Sequence, residues 1–420
     1  MPRVILVVKD GALSNKLGLK RSLSLSQMIL YGLGTTIGAG IYALTGELAG
    51  TAGYFAPMSF LIASLIATLT ALSFAELSSR FPQAAGAAIY VREGFQSKFI
   101  STAIGLLVCL AGLVSAAALL NGFVGYLQIF INLPDGLIII AMSFLLGGIA
   151  IWGINVSVSL AGLITLIEVG GLVMIIIVSR GALAELPDRW LEFIPPFQFS
   201  SWQGIFLGAL LAFYAFIGFE DMVVVAEEVK DVRQNLPKAI ILTLAITTVL
   251  YILIMMTAVL AMPPTELAQS NAPLSTLYQR FSGDNGTIIS VIGLLAIING
   301  ALIQIIMASR VIYGLSAHGQ LPVILSTVNQ KTQTPVLATF IATAIVLTLA
   351  LLGHLSILAE STSIIMLVIF SVVNLSLIRI KHRDPSPLGS TIFPLWVPML
   401  GFFVSVFFVI ATLINMSFIV

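Results

Sequence analysis

Residues 32–46 read GLGTTIGAGIYALTG, at a position where the length of the apolar run predicts a membrane-spanning helix. The run contains Gly32, Gly34, Gly38, Gly40 and Gly46. A glycine costs about 1 kcal/mol relative to alanine in a helix interior and lets the backbone leave helical geometry. In a bilayer, freed backbone groups are tolerated only where they are buried in protein or line a cavity. We therefore predict a helix interrupted near Gly38 whose freed groups bind a solute.

The composition indicates a polytopic membrane protein. The 420 residues are 59% hydrophobic and 9% charged, with a mean hydropathy of +1.09. A membrane helix needs about 20 predominantly apolar residues. Runs of this length predict about 11 transmembrane helices in an all-α fold. The predicted spans cover residues 26–50, 55–79, 97–120, 136–153, 156–179, 202–227, 237–261, 285–313, 335–353, 359–379 and 394–416.

The basic residues predict the orientation of these spans. With a cytoplasmic N-terminus, 16 of the 19 Lys and Arg residues fall in cytoplasmic segments, as the positive-inside rule requires. An odd number of spans then places the C-terminus outside the cell (plasma or inner) membrane. The net charge of +1 and the absence of a basic cluster argue against a nucleic-acid partner. Cys109 is the single cysteine, so no intrachain disulfide is expected.

A second interruption lies in the sixth predicted span, FLGALLAFYAFIGFEDMVVVAEEVK. Gly218 ends its apolar run and is followed by Glu220 and Asp221. Spans one and six are the first members of two five-span halves, and such matched interruptions are typical of a transporter's central binding site. The predicted organisation is a cytoplasmic arm over 1–24, inverted repeats over 25–180 and 201–380, and an additional helix over 390–420.

Four motifs, in order, resemble the amino acid-polyamine-organocation permeases. The motifs are GTTIGAGIY at 34–42, AELSSRFPQAAGAAIYV at 75–91, FYAFIGFEDMVVVAEEVKDVRQNLPKAI at 213–240 and ASRVIYGLSAHGQLP at 308–322. The resemblance implies a leucine-transporter-type fold of five plus five helices in two inverted repeats, with the substrate between the broken first and sixth helices. It also implies that the substrate is an amino acid or a related amine.

An amino acid presents a carboxylate and an ammonium group, and the two interruptions offer complementary partners. Amides at the start of a half-helix bind anions, whereas carbonyls at an unwound helix end accept hydrogen bonds from cations. The predicted carboxylate site comprises Ile37, Gly38, Ala39 and Gly40, and the predicted ammonium acceptors are Tyr214, Phe216 and Ile217, just before Gly218. Selection of a neutral side chain is assigned to Tyr214, Phe216, Phe219 and Gln304. The alternative is that Gly38 and Gly40 only permit close helix packing.

Glu168 lies in the middle of the fifth span. A carboxylate at this depth costs several kcal/mol unless it is protonated, paired or bound to a cation. Proton-coupled relatives in the resembling family often have a lysine at this position, so Glu168 is a departure from the pattern. We expect Glu168 to carry a coupling proton. A structural hydrogen bond, or a sodium site completed by Ser309 or Asn299, remains open.

Glu220 is a second candidate for proton coupling, because it resembles the acid of the family's sixth span. Glu76 and Arg80 are four residues apart and predict a structural ion pair. His318, His354 and His382 are scattered and form no metal site. No cofactor, catalytic residue or metal is predicted. Transport is expected to draw on an ion gradient, with protons favoured over sodium.

Three other classes of function remain possible. A channel predicts a continuous polar lining, but the charged residues are sparse. A membrane enzyme predicts a nucleophile or metal near Glu168, and the sequence offers neither. The third class is a sensor that binds an amino acid without transporting it, and the sequence offers little to distinguish such a sensor from a transporter. The leading hypothesis is a secondary transporter of neutral amino acids that works by alternating access, with amine exchange as another alternative.

Overall fold

The computed structural model describes residues 7–9, 12–14, 21, 23–38, 40–82, 86–152, 158–317, 319, 321–332 and 334–417. The prediction of an all-α polytopic protein is correct for the membrane helices. The N-terminal arm, however, contains two short antiparallel strands, β1 (Val7–Lys9) and β2 (Ala12–Ser14).

The described residues contain the following α-helices, given in chain order. The first nine α-helices are α1 Leu25–Ile37, α2 Gly40–Ala52, α3 Ala56–Arg80, α4 Gly86–Phe95, α5 Lys98–Leu127, α6 Asp135–Trp152, α7 Val158–Val178, α8 Arg180–Ala184 and α9 Leu186–Arg189. The remaining helices are α10 Phe199–Phe216, α11 Val232–Ala261, α12 Pro264–Gln269, α13 Pro273–Ser282, α14 Thr287–Ala317, α15 Val336–Leu352, α16 Leu355–Arg383 and α17 Trp396–Ser417. Short 3₁₀ helices lie at Gly53–Phe55, Trp190–Phe193, Phe219–Glu228 and Val323–Ser326.

Within the described residues, 8 helical stretches are long and apolar enough to cross a membrane. They are Gly40–Arg80, Lys98–Leu127, Asp135–Trp152, Phe199–Glu228, Val232–Ala261, Thr287–Ala317, Leu355–Arg383 and Trp396–Ile414. Gly162–Val178 and Val336–Leu352 are shorter apolar helices. This count is three smaller than the predicted one: α2 and α3 are counted as one stretch, and the predicted spans 156–179 and 335–353 correspond to the two shorter apolar helices.

Small and polar residues let neighbouring helices approach closely. Gly122 of α5 lies against Ala43 of α2, and a Cβ atom at Gly122 would lie 2.8 Å from the Ala43 Cβ atom. Asn374 of α16 accepts a hydrogen bond from the Ser73 hydroxyl at 2.6 Å and donates one to the Thr70 hydroxyl at 3.0 Å. Both features are typical of membrane helices, which associate through close packing and interhelical hydrogen bonds.

A buried ion cluster joins the ends of α3 and α16. The Arg80 guanidinium and the Lys381 ammonium group each contact the Glu76 carboxylate at 2.6 Å. The second Glu76 oxygen accepts a hydrogen bond from the Phe393 amide at 2.9 Å, and Lys381 donates another to the Phe393 carbonyl at 2.8 Å. The predicted Glu76–Arg80 pair is therefore present. Lys381, which is 305 residues away from Glu76 along the chain, completes it.

Two short helices lie between α11 and α14, as the length of that connection allows. A Cβ atom at Gly46 of α2 would lie 2.8 Å from the Leu267 carbonyl oxygen of α12 and 3.5 Å from Pro273 of α13. The connection is therefore packed against α2 instead of extending away from the bundle.

The ion cluster provides a test of what holds the ends of α3 and α16 together. In the Glu76→Gln variant, the side chain keeps its shape but leaves two buried cations without a counter-charge. Removing one partner of a buried ion pair costs about 3–5 kcal/mol, so we expect a clear fall in the melting temperature of purified protein in detergent. The matched control is Glu47→Gln, because Glu47 is exposed. Equal melting temperatures for the two variants would contradict this role of Glu76.

Candidate functional site

The first predicted interruption is present at the junction of α1 and α2. Helix α1 ends at Ile37, and α2 begins at Gly40. The intervening Gly38 has φ 13° and ψ −133°, which is not a helical conformation. Because the first amides of a helix have no intrahelical acceptor, the start of α2 offers free donors. Ile37, Gly38 and Gly40 are buried at this junction, whereas Ala39 lies outside the described residues.

The second predicted interruption lies at the end of α10. The helix ends at Phe216, Ile217 is extended with φ −64° and ψ 134°, and Gly218 has φ 128°. A positive φ of this size is accessible to glycine at little cost but strains other residues. The chain then continues as the 3₁₀ helix Phe219–Glu228.

The two interruptions contact each other directly. A Cβ atom at Gly40 would lie 2.8 Å from the Ala215 Cα atom, closer than real Cβ atoms approach. A Cβ atom at Gly218 would overlap the Thr35 carbonyl oxygen. The glycines therefore allow the two backbones to meet. Close packing, given above as the alternative role of the glycines, thus occurs together with the helix interruptions.

Tyr251 of α11 links the two interruptions through its hydroxyl group. This hydroxyl lies 2.9 Å from the Thr36 carbonyl oxygen, 3.4 Å from that of Ile37 and 2.9 Å from that of Ala215. The side chain is fully buried. Sequence reasoning missed Tyr251, because a single tyrosine in the apolar run TTVLYILIMM has no neighbouring signal.

Two backbone hydrogen bonds also join the segment before α1 to the end of the 3₁₀ helix Phe219–Glu228. The Leu23 amide donates to the Glu228 carbonyl at 3.0 Å, and the Lys230 amide donates to the Leu23 carbonyl at 2.9 Å. The start of α1 is thus paired with the end of the 3₁₀ helix. The hydrogen bonds of Tyr251 and this backbone pairing therefore hold α1, α10 and the 3₁₀ helix to one another at two separate places.

The structure places the predicted ammonium acceptors next to this junction. The Tyr214 carbonyl accepts a hydrogen bond from the Ile217 amide at 3.1 Å, so it already has a backbone partner. The Tyr214 hydroxyl lies 3.0 Å from the Ser115 hydroxyl of α5. Phe216 and Ile217 end the helix directly before Gly218, as the sequence predicts.

The rings assigned to side-chain selection pack into an aromatic cluster. The Phe216 ring lies 5.2 Å from that of Tyr251 and 6.2 Å from that of Phe60 between ring centroids. The Phe219 ring lies 5.9 Å from that of Phe74 and 5.4 Å from that of Phe370. In this conformation, Phe216 and Phe219 stabilise the helices around the interruptions.

Gln304 and Tyr214 approach the same part of α5. The Gln304 Oε1 atom lies 2.8 Å from where a Cβ atom of Gly112 would be, and Ser115, which contacts Tyr214, is one turn further along α5. Gln304 Oε1 has no hydrogen-bond partner among the described residues. A buried acceptor without a partner is costly, so Gln304 stays a candidate for a ligand contact.

Glu168 of α7 lies at the level of the first interruption. One turn before it, Thr165 contacts Gly34 of α1 so closely that a Cβ atom at Gly34 would overlap the threonine hydroxyl. Beyond the interruption, the Tyr42 hydroxyl of α2 donates to the Glu168 carbonyl at 2.7 Å. The Glu168 side chain is fully buried, and neither carboxyl oxygen has a hydrogen-bond partner among the described residues.

Glu220 contacts the second interruption itself. Its Oε2 atom accepts a hydrogen bond at 2.9 Å from the Gly218 amide, one of the groups that the interruption frees. This contact favours a structural role beside the predicted role in proton coupling. In the described part of the chain, no three His, Cys, Asp or Glu residues are arranged to hold a metal ion.

Comparison with known proteins decides the family. Residues 23–419 match the family model described as amino acid permease. The chain belongs to the amino acid permease family. Members of this family are transporters, so the protein is a multi-pass membrane transporter and not an enzyme.

The curated relatives carry different solutes. The chain is 28% identical to the branched-chain amino acid permease BcaP of Bacillus subtilis, over 89% of this chain and 84% of the relative. The methylthioribose transporter of the same organism matches with the same identity and coverage. Cationic amino acid transporter 4 of Mus musculus is 28% identical over 90% of this chain, which spans 62% of that longer protein.

The contact between Gly218 and Thr35 can be tested by substitution. In Gly218→Ala, the added Cβ atom must displace the Thr35 carbonyl oxygen. The alanine backbone must also adopt the positive φ of Gly218, which is strained for any residue with a Cβ atom. A displacement of about 1 Å at a binding site can reduce function by about 10²-fold, so we expect amino acid uptake by reconstituted protein to fall tenfold or more. The matched control is Gly148→Ala, where a Cβ atom meets nothing within 4 Å. Wild-type uptake by both variants would show that the interruptions need not meet.

Proposed function

We propose that this permease is a secondary active transporter that moves an amino acid across the membrane by alternating access. The observation that carries the proposal is the direct contact between the two interruptions, at Gly40 with Ala215 and at Gly218 with Thr35. Free amides at the start of α2 and carbonyls at the end of α10 are the partners that an α-carboxylate and an ammonium group require.

The helix order supports an architecture of eleven spans in two inverted repeats. The two interrupted helices, α1–α2 and α10 with its 3₁₀ continuation, are then the first helices of repeats over 25–180 and 201–380. Helix α17 is the additional span of 390–420. The distribution of Lys and Arg favours a cytoplasmic N-terminus for residues 1–24 and an extracytoplasmic C-terminus.

We assign the α-carboxylate to Ile37, Gly38, Ala39 and Gly40, and the ammonium group to the carbonyls of Phe216 and Ile217. The surrounding side chains are apolar or aromatic, which favours a neutral substrate, and the relative named as a branched-chain amino acid permease is consistent with one. The relatives named as cationic amino acid transporters make a basic amino acid the second candidate. Glu168, which is buried without a hydrogen-bond partner, would be its counter-charge.

The proposed coupling ion is the proton, and Glu168 is the proposed carrier. A buried carboxyl group that has no cation beside it favours its neutral form. Substrate and proton could therefore enter together at the level of the first interruption. Sodium coupling and amino acid/amine exchange are the alternatives, and the transport measurements below discriminate proton coupling from sodium coupling.

A binding screen should identify the substrate class. Purified protein is heated in detergent with each of the common amino acids and polyamines in turn. A ligand at 100 times its Kd stabilises the folded state by about 2.7 kcal/mol, so the substrate should raise the melting temperature measurably. We expect neutral aliphatic amino acids to give the largest shifts. Shifts confined to lysine and arginine would instead support the second candidate.

The coupling proposal is tested in proteoliposomes with imposed gradients. An inward gradient of one pH unit supports about tenfold accumulation when one proton accompanies each substrate. We expect Glu168→Gln to abolish this accumulation while counterflow of labelled substrate persists, because the amide carries no titratable proton. Glu47→Gln is the control. Accumulation driven by sodium alone, or a pH response unchanged in Glu168→Gln, would refute the proton role. Binding without counterflow would indicate a sensor.

A further inference from the structure

The Tyr251 hydroxyl contacts more acceptors than its single proton can satisfy. The carbonyl oxygens of Thr36, Ile37 and Ala215 lie within 3.4 Å of it and belong to both interruptions. A phenol has one O–H donor. At any moment, therefore, the proton is directed to one carbonyl or shared unequally between them. Rotation of the O–H bond changes which interruption is held.

The ring that carries this hydroxyl is fixed. Its centroid lies 5.3 Å from that of Phe60 on α3 and 5.2 Å from that of Phe216 on α10. Tyr251 is fully buried. The oxygen atom is thus held in place by packing on both sides, and rotation of the O–H bond is the one movement that needs no repacking.

The Glu168 carboxyl group is the charge that can bias this rotation. It interacts electrostatically with the hydroxyls of Tyr251 and Tyr42. In a buried environment of low dielectric, such an interaction is stronger than in water. Neither carboxyl oxygen has a hydrogen-bond partner in the described part of the chain, so the charge is not neutralised by a contact of its own.

Glu220 also faces the second interruption, where it accepts a hydrogen bond from the Gly218 amide at 2.9 Å, and Asp221 follows it in the chain. The tyrosines near this position are already engaged. The Tyr42 hydroxyl of α2 donates to the Glu168 carbonyl at 2.7 Å, and the Tyr126 hydroxyl of α5 donates to the Tyr42 carbonyl at 2.9 Å. Tyr31 of α1 interacts instead with Asp221, Glu228 and Arg310. This leaves Tyr251 as the described hydroxyl that interacts with both Glu168 and the two interruptions.

We propose that Tyr251 is a positioning residue that transmits the charge of Glu168 to the carbonyl groups of both interruptions. When Glu168 is neutral, the hydroxyl donates to these carbonyls and holds α1, α10 and α11 together. When Glu168 is negative, it attracts the hydroxyl proton and weakens those bonds in both interruptions at once. The proposal rests on the proton-coupled function above and names the residue that connects the proton to the substrate site.

The test measures the interruptions without requiring a substrate. Hydrogen–deuterium exchange of the whole purified protein is followed by mass spectrometry for residues 32–46 and 213–222, from pH 5 to pH 9, with correction for intrinsic exchange rates. One hydrogen bond contributes about 0.5–1.5 kcal/mol net. We therefore expect the protection of both stretches to fall about twofold to tenfold as the pH rises in the wild type.

The variants are compared in a Glu220→Gln background, because the Glu220 carboxylate bonds to the Gly218 amide and would give residues 213–222 a pH response of its own. Two substitutions and one control then distinguish transmission of the Glu168 charge from a purely structural role of Tyr251. Glu168→Gln should hold both stretches at their low-pH protection. Tyr251→Phe keeps the ring contacts and should make exchange in both stretches independent of pH. Exchange in the double variant, Glu168→Gln with Tyr251→Phe, should then equal exchange in Tyr251→Phe alone, because the hydroxyl through which Glu168 acts is absent. Tyr90→Phe removes another buried hydroxyl, which has no hydrogen-bond partner among the described residues and lies on α4, and it should keep the pH response.

The remaining outcomes would overturn the inference. They are a wild type whose exchange does not depend on pH, a Tyr251→Phe variant that keeps the pH response, and a response confined to one interruption. If Tyr251→Phe does not fold, an unchanged pH response in Glu168→Gln also refutes the proposal. Failure of pH-driven uptake in the wild type would refute the proposed coupling separately, since exchange is measured without transport.

Discussion

The structure depends on satisfying backbone polar groups where two membrane helices stop. Inside a bilayer, an amide or carbonyl without a partner costs several kcal/mol. The protein meets this constraint with protein groups: Tyr251 contacts carbonyls of both interruptions, and Glu220 accepts a hydrogen bond from the Gly218 amide. The close approach that glycine permits brings the two interruptions within reach of one tyrosine. The interruptions therefore form one unit with α11.

The positions of the interruptions could be predicted because their causes are local. Glycine at Gly38, Gly40 and Gly218 changes what the backbone itself can adopt, and this effect is visible in the sequence. The same holds for Glu76 and Arg80, whose spacing of four residues places them on one face of a helix. The length and composition of the apolar runs similarly predicted most of the membrane helices within the described residues.

Other features could not be predicted because they depend on partners distant in sequence. Lys381 is an ordinary basic residue at a helix end until the fold brings it to Glu76, and Tyr251 resembles any core tyrosine until it meets both interruptions. For the aromatic residues at the second interruption, the position could be predicted but the packing of the rings could not. The positions of Phe216 and Phe219 predict a role in substrate selection, which stays a prediction, and the structure adds that their rings pack against Phe60, Phe74, Tyr251 and Phe370. Position along the chain predicts proximity to a site, but it does not predict which way a side chain points.

Buried polar groups in this structure differ in whether they have hydrogen-bond or ion-pair partners. The ion cluster at Glu76 and the backbone pairing of Leu23 with Glu228 and Lys230 have their partners in place. Glu168 is as deeply buried as Glu76, yet its carboxyl oxygens have no hydrogen-bond partner among the described residues. Two cations and an amide contact the Glu76 carboxylate, whereas the Glu168 carboxyl group has no comparable contacts among the described residues. A buried carboxyl group without a partner is costly in its charged form, and this is the reason that the proposed coupling role falls on Glu168 and not on Glu76.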